Sequence, residues 1–269
     1  MSVVMKKNFW NEKHTAVITG ASAGIGAEFA RQLFEAGHRV ILCGRDENAL
    51  RALSDELCGA PYIIADLSRV SGCRALFEKA CEYVPDIFIN NAGFGIFDKF
   101  SESSLEREIE LINTDVRAVH ILFKLFLGYF EKNGSGYILN TASIAGFMPG
   151  PMMSGYYASK AYVIRQTQAV WAECLLSRSP VRVSVLCPGP VQTGFNERTG
   201  ITGTIKGITA KECVSYTLEK MKSFSPVIIP SVTAKAVVVG SKLTPALLAA
   251  LACYVVQKTK KRIGSEKQA

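Results

Sequence analysis

Three residues in the middle of the chain have the types and spacing needed to transfer a proton to an oxygen. Tyr156 and Lys160 lie four residues apart, which places both side chains on one face of a helix. A free tyrosine titrates near ~10, but a neighbouring ammonium favours the phenolate, so Tyr156 can act as an acid and as a base. Ser143 follows a predicted strand, where its hydroxyl can hydrogen-bond a substrate oxygen as charge develops. A simple serine turn is the alternative interpretation of Ser143.

A glycine-rich turn begins at Gly20, where a first predicted strand meets a first predicted helix. A turn at such a place can bind the pyrophosphate of a dinucleotide at the helix N-terminus. Gly20 permits the tight turn, Gly24 lets the backbone approach a phosphate, and Gly26 lets the helix pack closely on the strand. Glycines at strand ends also serve ordinary turns, so the interpretation depends on the motifs that follow.

The spacing T-G-x-x-x-G-x-G at residues 19–26 resembles the short-chain dehydrogenase/reductase family, in its compact single-domain branch. Further motifs follow in the family's order: N-N-A-G at 90–93, a serine thirteen residues before Tyr156, Y-x-x-x-K, and P-G at 188–189. The resemblance implies an oxidoreductase that moves a hydride between a nicotinamide and a carbonyl or alcohol carbon. Tyr156 would be its general acid and base, and Lys160 would also bond the nicotinamide ribose.

Asn113 lies in the middle of a predicted helix, where asparagine has poor propensity. In the family that the chain resembles, the matching asparagine distorts the helix and holds a water that relays protons to the lysine. The resemblance therefore implies a catalytic set of Asn113, Ser143, Tyr156 and Lys160. No metal site is predicted, because the eight cysteines are scattered without a C-x-x-C pair.

The resemblance also implies residues that bind the cofactor. Asp66 matches the position that holds the adenine amino group, with a helix N-cap as the alternative role. Thr193 resembles the residue that holds the carboxamide, although residues 188–193 also fit a rigid turn. The predicted cofactor-binding set is Gly20, Ser22, Gly24, Ile25, Gly26, Arg45, Asp66, Leu67, Asn91, Ala92, Gly93, Tyr156, Lys160, Pro188, Gly189, Val191 and Thr193.

The end of the second predicted strand favours NADP(H) over NAD(H). NAD-binding members carry an acidic residue there for the ribose hydroxyls, whereas this chain has Gly44 followed by Arg45. A guanidinium can bind the 2′-phosphate of NADP through two hydrogen bonds. A solvated surface charge is the alternative interpretation of Arg45, and Ala23 stands where related enzymes often have a second basic residue.

Apolar side chains flank the catalytic motifs, so the sequence predicts a small hydrophobic carbonyl or alcohol as the substrate. Core packing is the alternative explanation for several of these residues. The predicted substrate-binding set is Phe94, Ser143, Met148, Met153, Tyr156 and Phe195.

The elements that position these residues alternate between strand and helix patterns. Apolar strand candidates at 15–19, 39–43, 62–65, 87–90, 136–140 and 181–186 alternate with helical spacing at 25–36, 47–57, 70–81, 105–130 and 155–176. This alternation predicts an α/β fold, a Rossmann-type doubly wound parallel sheet of about seven strands with helices on both faces. No linker divides residues 1–269, so one domain is predicted.

The charge distribution argues against a nucleic-acid partner. The formal net charge is +8, but residues 258–269 hold five basic residues against one acidic, and residues 1–13 hold three against one. The interior is nearly balanced and lacks the basic stripe that phosphate backbones require. Scattered cysteines and the lack of an apolar leader predict a cytoplasmic protein.

The C-terminal segment 243–269 combines an apolar run at 245–256 with a basic run that follows it. The apolar run is shorter than the ~20 residues that span a bilayer, so an amphipathic helix is predicted. It either caps the substrate pocket or packs on another subunit, or it lies on an anionic membrane surface. The long helices at 105–130 and 155–176 resemble those through which family members form homodimers and homotetramers.

Two other functions stay open from the sequence. One is a non-catalytic NADP-sensing protein on the same fold, which would be free to lose the catalytic set that this chain keeps. The other is a membrane-associated interaction protein, for which the basic tail is the sole support.

Overall fold

The computed structural model describes residues 9–195, 199–200 and 207–265, and the side chains within these ranges up to residue 258. The strands are β1 Thr15–Thr19, β2 Arg39–Gly44, β3 Tyr62–Ile64, β4 Ile87–Asn90, β5 Gly136–Thr141, β6 Val181–Leu186, β7 Val191–Gln192, β8 Ile208–Thr209 and β9 Val227–Ile228. The α-helices are α1 Gly24–Glu35, α2 Glu47–Glu56, α3 Val70–Cys81, α4 Leu105–Ile112, α5 Val119–Asn133, α6 Ser154–Leu176, α7 Ala210–Lys222, α8 Val232–Leu243 and α9 Ala246–Ser265. Short 3₁₀ helices occupy Phe9–Asn11 and Ile144–Phe147.

Seven strands form one parallel sheet in the order β3-β2-β1-β4-β5-β6-β9. The chain runs outward from β1 to β3 and then returns to place β4 on the other side of β1. Such a reversal opens a crevice beyond the carboxyl ends of β1 and β4, where ligands bind in doubly wound folds. The predicted fold class and strand number are confirmed. β7 and β8 form a separate two-stranded parallel pair.

Apolar side chains fill the space on both faces of the sheet. One layer packs α1, α2 and α7 against the sheet and includes Phe29, Leu33 and Leu50. The opposite layer packs α3 and α5 against it, and there Phe88 of β4 stacks on Phe126 with ring centroids 3.9 Å apart. Strands covered on both faces read as nearly continuous apolar runs, which is why they could be recognised in the sequence.

A π-helical turn interrupts the long helix predicted at 105–130. Residues Asn113–Ala118 form this turn between α4 and α5. One extra residue in a turn shifts the side chains that follow it around the helix axis, and such turns are frequent at functional sites. Here the turn brings Asp115 to the interior, where it is fully buried.

The C-terminal part of the chain contains β9, which is the edge strand beside β6, followed by the helices α8 and α9. Val185 and Leu186 of β6 pair with Val227 and Ile228 of β9. The predicted C-terminal helix is present as α9, which follows α8 after a short turn at Thr244 and Pro245. In the part of the chain that the structure describes, we find no helix with both the length and the apolar content to traverse a bilayer.

Candidate active site

The glycine turn shapes the first wall of the site at the N-terminus of α1. Gly20 and Gly24 have φ values of +67° and +58°, a backbone region that favours glycine. A Cβ added at Gly26 would lie 2.2 Å from the carbonyl oxygen of Gly20, so only glycine lets α1 approach the turn this closely. Gly26 therefore packs behind the turn, while the N-terminal amides of α1 face the space in front of it.

Hydrogen bonds join the carboxyl ends of β1 and β4. The hydroxyl of Thr19 accepts from the backbone N–H groups of Asn91 at 2.8 Å and Ala92 at 3.1 Å. The side-chain amide of Asn91 donates to the carbonyl of Thr19 at 3.1 Å. These bonds fix the loop after β4 beside the glycine turn. On the adjacent strands, Asn90 donates to Asn140 at 3.0 Å, which ties β4 to β5.

Tyr156 and Lys160 lie together on α6, as their spacing predicts. The ammonium of Lys160 is 5.4 Å from the centre of the Tyr156 ring, and Lys160 is only 5% exposed. The hydroxyl of Ser143, which donates to the carbonyl of Pro188 at 3.4 Å, is near enough to the Tyr156 phenol to act on its pKa. Burial raises the pKa of Tyr156, whereas the charge of Lys160 and the hydroxyl of Ser143 act to lower it. These three residues thus form one polar group at the end of β5 and the start of α6.

Close packing positions α6 against the segment that carries Ser143. A Cβ at Gly146 would lie 2.6 Å from the carbonyl oxygen of Lys160, so this glycine allows the 3₁₀ helix to contact α6 directly. The hydroxyl of Ser143 caps that 3₁₀ helix by accepting from Ala145 N–H at 3.1 Å. The turn serine and the catalytic serine are therefore compatible interpretations of the same residue.

Asp115 is the residue of this site that the sequence did not reveal. Its carboxylate is fully buried, lies 2.9 Å from the ammonium of Lys160, and accepts a hydrogen bond from Phe94 N–H at 2.9 Å. Burial raises the pKa of Asp115, and Lys160 opposes that effect. Burial acts to lower the pKa of Lys160, but the charges of Asp115 and Tyr156 outweigh it and leave the pKa raised. Lys160 is therefore held as a buried cation.

Asn113 does not line the cavity, and Asp115 instead contacts Lys160 among the described residues. The π-helical turn begins at Asn113, and within it the carboxylate of Asp115 is buried. The water-mediated relay to the lysine that the resemblance implies for Asn113 stays a prediction. Buried residues at 111, 115, 118 and 122 have helical spacing, so the apolar periodicity could have placed Asp115 on the inner face.

The end of β2 carries Arg45 to the rim of the cavity. Its guanidinium donates to Glu110 of α4 at 2.7 Å, and both side chains are substantially exposed. Gly44 precedes it and leaves room for the hydroxyl of Ser22, 3.6 Å from the position of an added Cβ. Arg45 is therefore a cation at the cavity rim whose partner, Glu110, another anion can replace.

Asp66 is bound by its own neighbours in the loop after β3. Its carboxylate accepts from the N–H of Ser68 at 3.0 Å and from its hydroxyl at 2.7 Å, and these bonds lower the pKa of Asp66. Leu67 and Ser68 line the cavity at this point, but Asp66 does not. The alternative N-cap role is wrong, because α3 begins after Arg69. Its carboxylate closes a local turn after β3.

The loop after β6 forms the wall opposite the glycine turn. Pro188 accepts hydrogen bonds through its carbonyl from Ile144 N–H at 3.0 Å and from the Ser143 hydroxyl at 3.4 Å. Thr193 faces Gly24, whose added Cβ would lie 3.3 Å from the Cβ of the threonine. These contacts bring the predicted carboxamide-binding loop against the predicted phosphate-binding turn.

A single cavity of about 910 Å³ joins these walls. It contains every predicted site residue except Gly26, Asp66 and Asn113. Two hydroxyl groups in its lining, those of Thr114 and Thr141, are buried without a partner among the described residues. Its lining also includes Met148, Met153 and Phe195.

The far wall of the cavity comes from the C-terminal helices. Val237 and Ser241 of α8 line it together with five residues of α9: Ala249, Ala252, Cys253, Val256 and Gln257. Tyr157 also lines it, and its hydroxyl accepts from the side-chain amide of Gln257 at 3.1 Å. The sequence did not predict these residues as part of the site, because their distance along the chain hides their contact with α6. The predicted C-terminal helix thus lines this cavity, and its contact with a substrate, another subunit or a membrane stays a prediction.

Comparisons with known proteins match both the chain and its fold. A family model described as short chain dehydrogenase matches residues 14–220. The ketoacyl reductase HetN of Nostoc sp. is 34% identical over 217 residues, covering 77% of this chain and 74% of that protein. A short-chain dehydrogenase from Sphingobium yanoikuyae, solved in complex with NADPH, is 32% identical with a TM-score of 0.76, covering 81% of this chain and 88% of that one. A short chain dehydrogenase/reductase from Burkholderia phymatum, solved in complex with NAD, is 26% identical with a TM-score of 0.77, covering 86% and 93%.

Proposed function

The chain belongs to the short-chain dehydrogenase family, and from that premise we propose that it transfers a hydride between NADP(H) and a small hydrophobic carbonyl or alcohol. One observation carries the proposal: Tyr156, Lys160 and Ser143 open into the same cavity as the glycine turn. The groups that can transfer a proton and the turn that can bind a dinucleotide therefore line the same cavity.

The residues of the cavity fit a nicotinamide dinucleotide. Gly24, the first residue of α1, has a positive φ and carries no Cβ that would obstruct an approach of phosphate to the helix N-terminus. The hydroxyls of Thr114 and Thr141, which have no partner in the described ranges of the chain, offer hydrogen bonds to a ligand. The family match includes relatives solved with NADPH and with NAD, so the proposed preference depends on this chain's own residues.

Arg45 supports the preference for NADP(H). It follows Gly44 at the end of β2, where NAD-binding relatives carry the acidic residue, whereas the carboxylate of the next residue, Asp46, caps α2 by accepting from Ala49 N–H. Its guanidinium is at the cavity rim and is bound by Glu110, a partner that a phosphate can replace because the pair is exposed to solvent. A 2′-phosphate would accept two hydrogen bonds from the same group.

The proposed reaction assigns one task to each polar side chain. When bound, the nicotinamide supplies or accepts the hydride. In the reducing direction Tyr156 donates its phenolic proton to the developing alkoxide, and the hydroxyl of Ser143 stabilises the negative oxygen. Lys160 stabilises the phenolate that Tyr156 becomes, and Asp115 holds the ammonium in place. In the oxidising direction the same proton returns to Tyr156.

The apolar part of the cavity supports a hydrophobic substrate. Phe94, Met148, Met153 and Phe195 line it close to the Tyr156 ring, and the Phe195 ring centroid lies 5.5 Å from that of Tyr156. α8 and α9 extend this apolar wall. A substrate of modest size would lose most of its contact with water there.

A screen of apolar ketones, aldehydes and secondary alcohols tests the proposal, with NADP(H) and NAD(H) compared by nicotinamide absorbance. We expect turnover with NADP(H) and weaker turnover with NAD(H). In Tyr156→Phe we expect turnover to fall at least ~100-fold while NADPH affinity, measured by titration calorimetry, persists. Undiminished turnover in that variant would falsify the assigned role of Tyr156.

Three further properties belong to the same proposal. We propose a homodimer or homotetramer, supported by exposed apolar residues on α4 and α6: Leu105, Ile109, Ile112 and Tyr162. We propose peripheral contact of α9 with an anionic membrane, supported by its outward apolar face and the basic run after it. We propose the cytoplasm as the compartment, supported by the free thiols of all eight cysteines.

A further inference from the structure

The helix α9 contributes one buried polar side chain to an otherwise apolar wall of the cavity. Within residues 246–258, Gln257 is the one buried residue, at 3% exposure. Its neighbours in the lining, Ala252, Cys253 and Val256, carry no comparable polar group. Glutamine is mostly found at protein surfaces, and burying its amide is unfavourable unless hydrogen bonds compensate. Residues 246–258 of α9 therefore bury only this side chain, against the general preference of glutamine for the surface.

Only one half of the Gln257 amide has a partner. Nε2 donates to the hydroxyl of Tyr157 at 3.1 Å, whereas Oε1 is buried without a partner among the described residues. Leaving a buried carbonyl oxygen without a hydrogen bond is costly. An amide oxygen can only accept, so the group that satisfies it must be a donor, such as a hydroxyl or an amide N–H.

The unpartnered oxygen belongs to a polar pair next to the proposed acid. Tyr157 follows Tyr156 on α6, their ring centroids are 6.2 Å apart, and both line the cavity. Gln257 is bound to Tyr157 from the α9 side. A ligand whose carbonyl contacts Tyr156 therefore lies in the same cavity as the Gln257–Tyr157 pair. On the cavity wall this pair is next to Tyr156.

We propose that Gln257 determines substrate specificity, with its Oε1 accepting a hydrogen bond from a hydroxyl or amide N–H distant from the reacting carbon. This inference rests on the proposed function, since it takes the cavity as the substrate site. The substrate is then an apolar carbonyl or alcohol that carries a second, donating polar group. A plain hydrocarbon chain would leave the amide oxygen unsatisfied.

The test uses three ketones of matched shape: para-phenylacetophenone, the same ketone with a phenolic hydroxyl on its distal ring, and the methyl ether of that phenol. Their Kd values for the full chain are measured by titration calorimetry with NADP⁺ present. We expect the phenol to bind at least ~10-fold more tightly than the other two, because only it donates to Oε1. The variant Gln257→Met keeps the length of the side chain and should abolish this preference, with the Kd of the parent ketone changed by less than ~3-fold.

A matched control is Leu248→Ala, on the same helix but outside the cavity lining and exposed. It should keep the preference for the phenol. The inference is overturned if the wild type binds the three ketones equally or not at all, if the preference survives in Gln257→Met, or if that variant weakens all three alike. The Kd ratio needs no turnover, so an enzyme that binds the phenol preferentially but reduces none of the ketones would contradict the proposed function alone.

Discussion

The buried pair of Asp115 and Lys160 controls the charge environment of Tyr156. The ammonium lowers the pKa of the Tyr156 phenol, whereas the carboxylate raises it. Removing one member of a buried pair leaves the other uncompensated, so the two charges act as a unit. The pH dependence of the reaction should therefore report on Asp115 even though it is separated from the substrate by the lysine.

Replacing Asp115 with asparagine should move the pH profile downward. The variant Asp115→Asn removes the negative charge that raises the pKa of both Tyr156 and Lys160, so the pKa of Tyr156 falls over the pH range in which Lys160 is protonated. Reduction needs the protonated phenol and should be lost at a lower pH than in the wild type. Alcohol oxidation needs the phenolate and should begin at a lower pH. The measurement is kcat/KM against pH in both directions.

The conservative variant Asp115→Glu provides the comparison, since it keeps the charge. A profile that is the same in Asp115→Asn and the wild type would show that the carboxylate does not act on Tyr156. Lower activity at every pH without a change in the profile would point to a structural role of the carboxylate, at Phe94 N–H and Lys160.

Removing the charge of Arg45 should weaken the preference for NADP(H). In Arg45→Gln we expect the KM for NADPH to rise roughly 10-fold or more, because charge-assisted hydrogen bonds to the phosphate are lost, while the KM for NADH changes little. Glu110→Gln is the matched variant, since it releases Arg45 from its partner. It should lower the KM for NADPH. Equal effects on both coenzymes would contradict the assignment of Arg45 to the 2′-phosphate.

At the level of elements, the alternation of strands and helices was predictable, but two local features were not. The buried strands and the helices that cover them follow from continuous and periodic apolar patterns. The π-helical turn at Asn113–Ala118 leaves no such pattern, because it changes the phase of a helix by one residue. The turn itself was therefore not predicted, and neither was the contact of Asp115 with Lys160 that lies within it.

In the site, too, the residues of short local motifs could be predicted, whereas contacts between distant parts of the chain could not. Tyr156, Lys160, Ser143 and the glycine turn could be found because each motif is short and lies at an element end. The contact of Gln257 with Tyr157 joins residues a hundred positions apart, and no local pattern encodes it. Asp66 illustrates the converse: its position follows a strand as predicted, yet its carboxylate is bound by Ser68 and it is absent from the cavity lining.

The packing of α1 on its strand depends on Gly26. In Gly26→Ala the new Cβ would meet the carbonyl of Gly20 at 2.2 Å, so the backbone must shift. We expect a loss of about 1–3 kcal/mol in the free energy of unfolding and weaker NADPH binding. Chemical denaturation and titration calorimetry measure the two effects.

Gly128→Ala is the control for that substitution. Gly128 lies within α5 with nothing within 4 Å of an added Cβ, so alanine should raise the free energy of unfolding by about 0.5–1 kcal/mol. If Gly26→Ala were as stable as the wild type, the close contact between α1 and the turn would not be a constraint on this fold.

On the scale of the whole molecule, α9 has two apolar faces with different surroundings. One lines the cavity, and the other carries Leu247, Leu251 and Val255 at intervals of four residues, with Leu247 81% exposed. Basic residues follow from Lys258 onward. An exposed apolar strip next to positive charge is suited to an anionic bilayer surface.

The variant Leu247→Gln/Leu251→Gln tests that surface in the full chain. We expect co-sedimentation with phosphatidylserine vesicles to weaken at least ~10-fold, because the variant lacks the two leucine side chains that would be buried in the bilayer surface. Neither residue lines the cavity, so ketone reduction in solution should be retained. Unchanged sedimentation in the double variant, or no sedimentation of the wild type, would contradict the membrane proposal.

The order of the strands also has a consequence for the chain during its synthesis. β1 pairs with β2 and with β4, so its second neighbour begins only at Ile87. Translation at about 5–20 residues per second leaves the apolar segment around Val17 and Ile18 half covered for several seconds. A holding chaperone that recognises short apolar segments on nascent chains would find its best target there, until the fourth strand emerges from the ribosome.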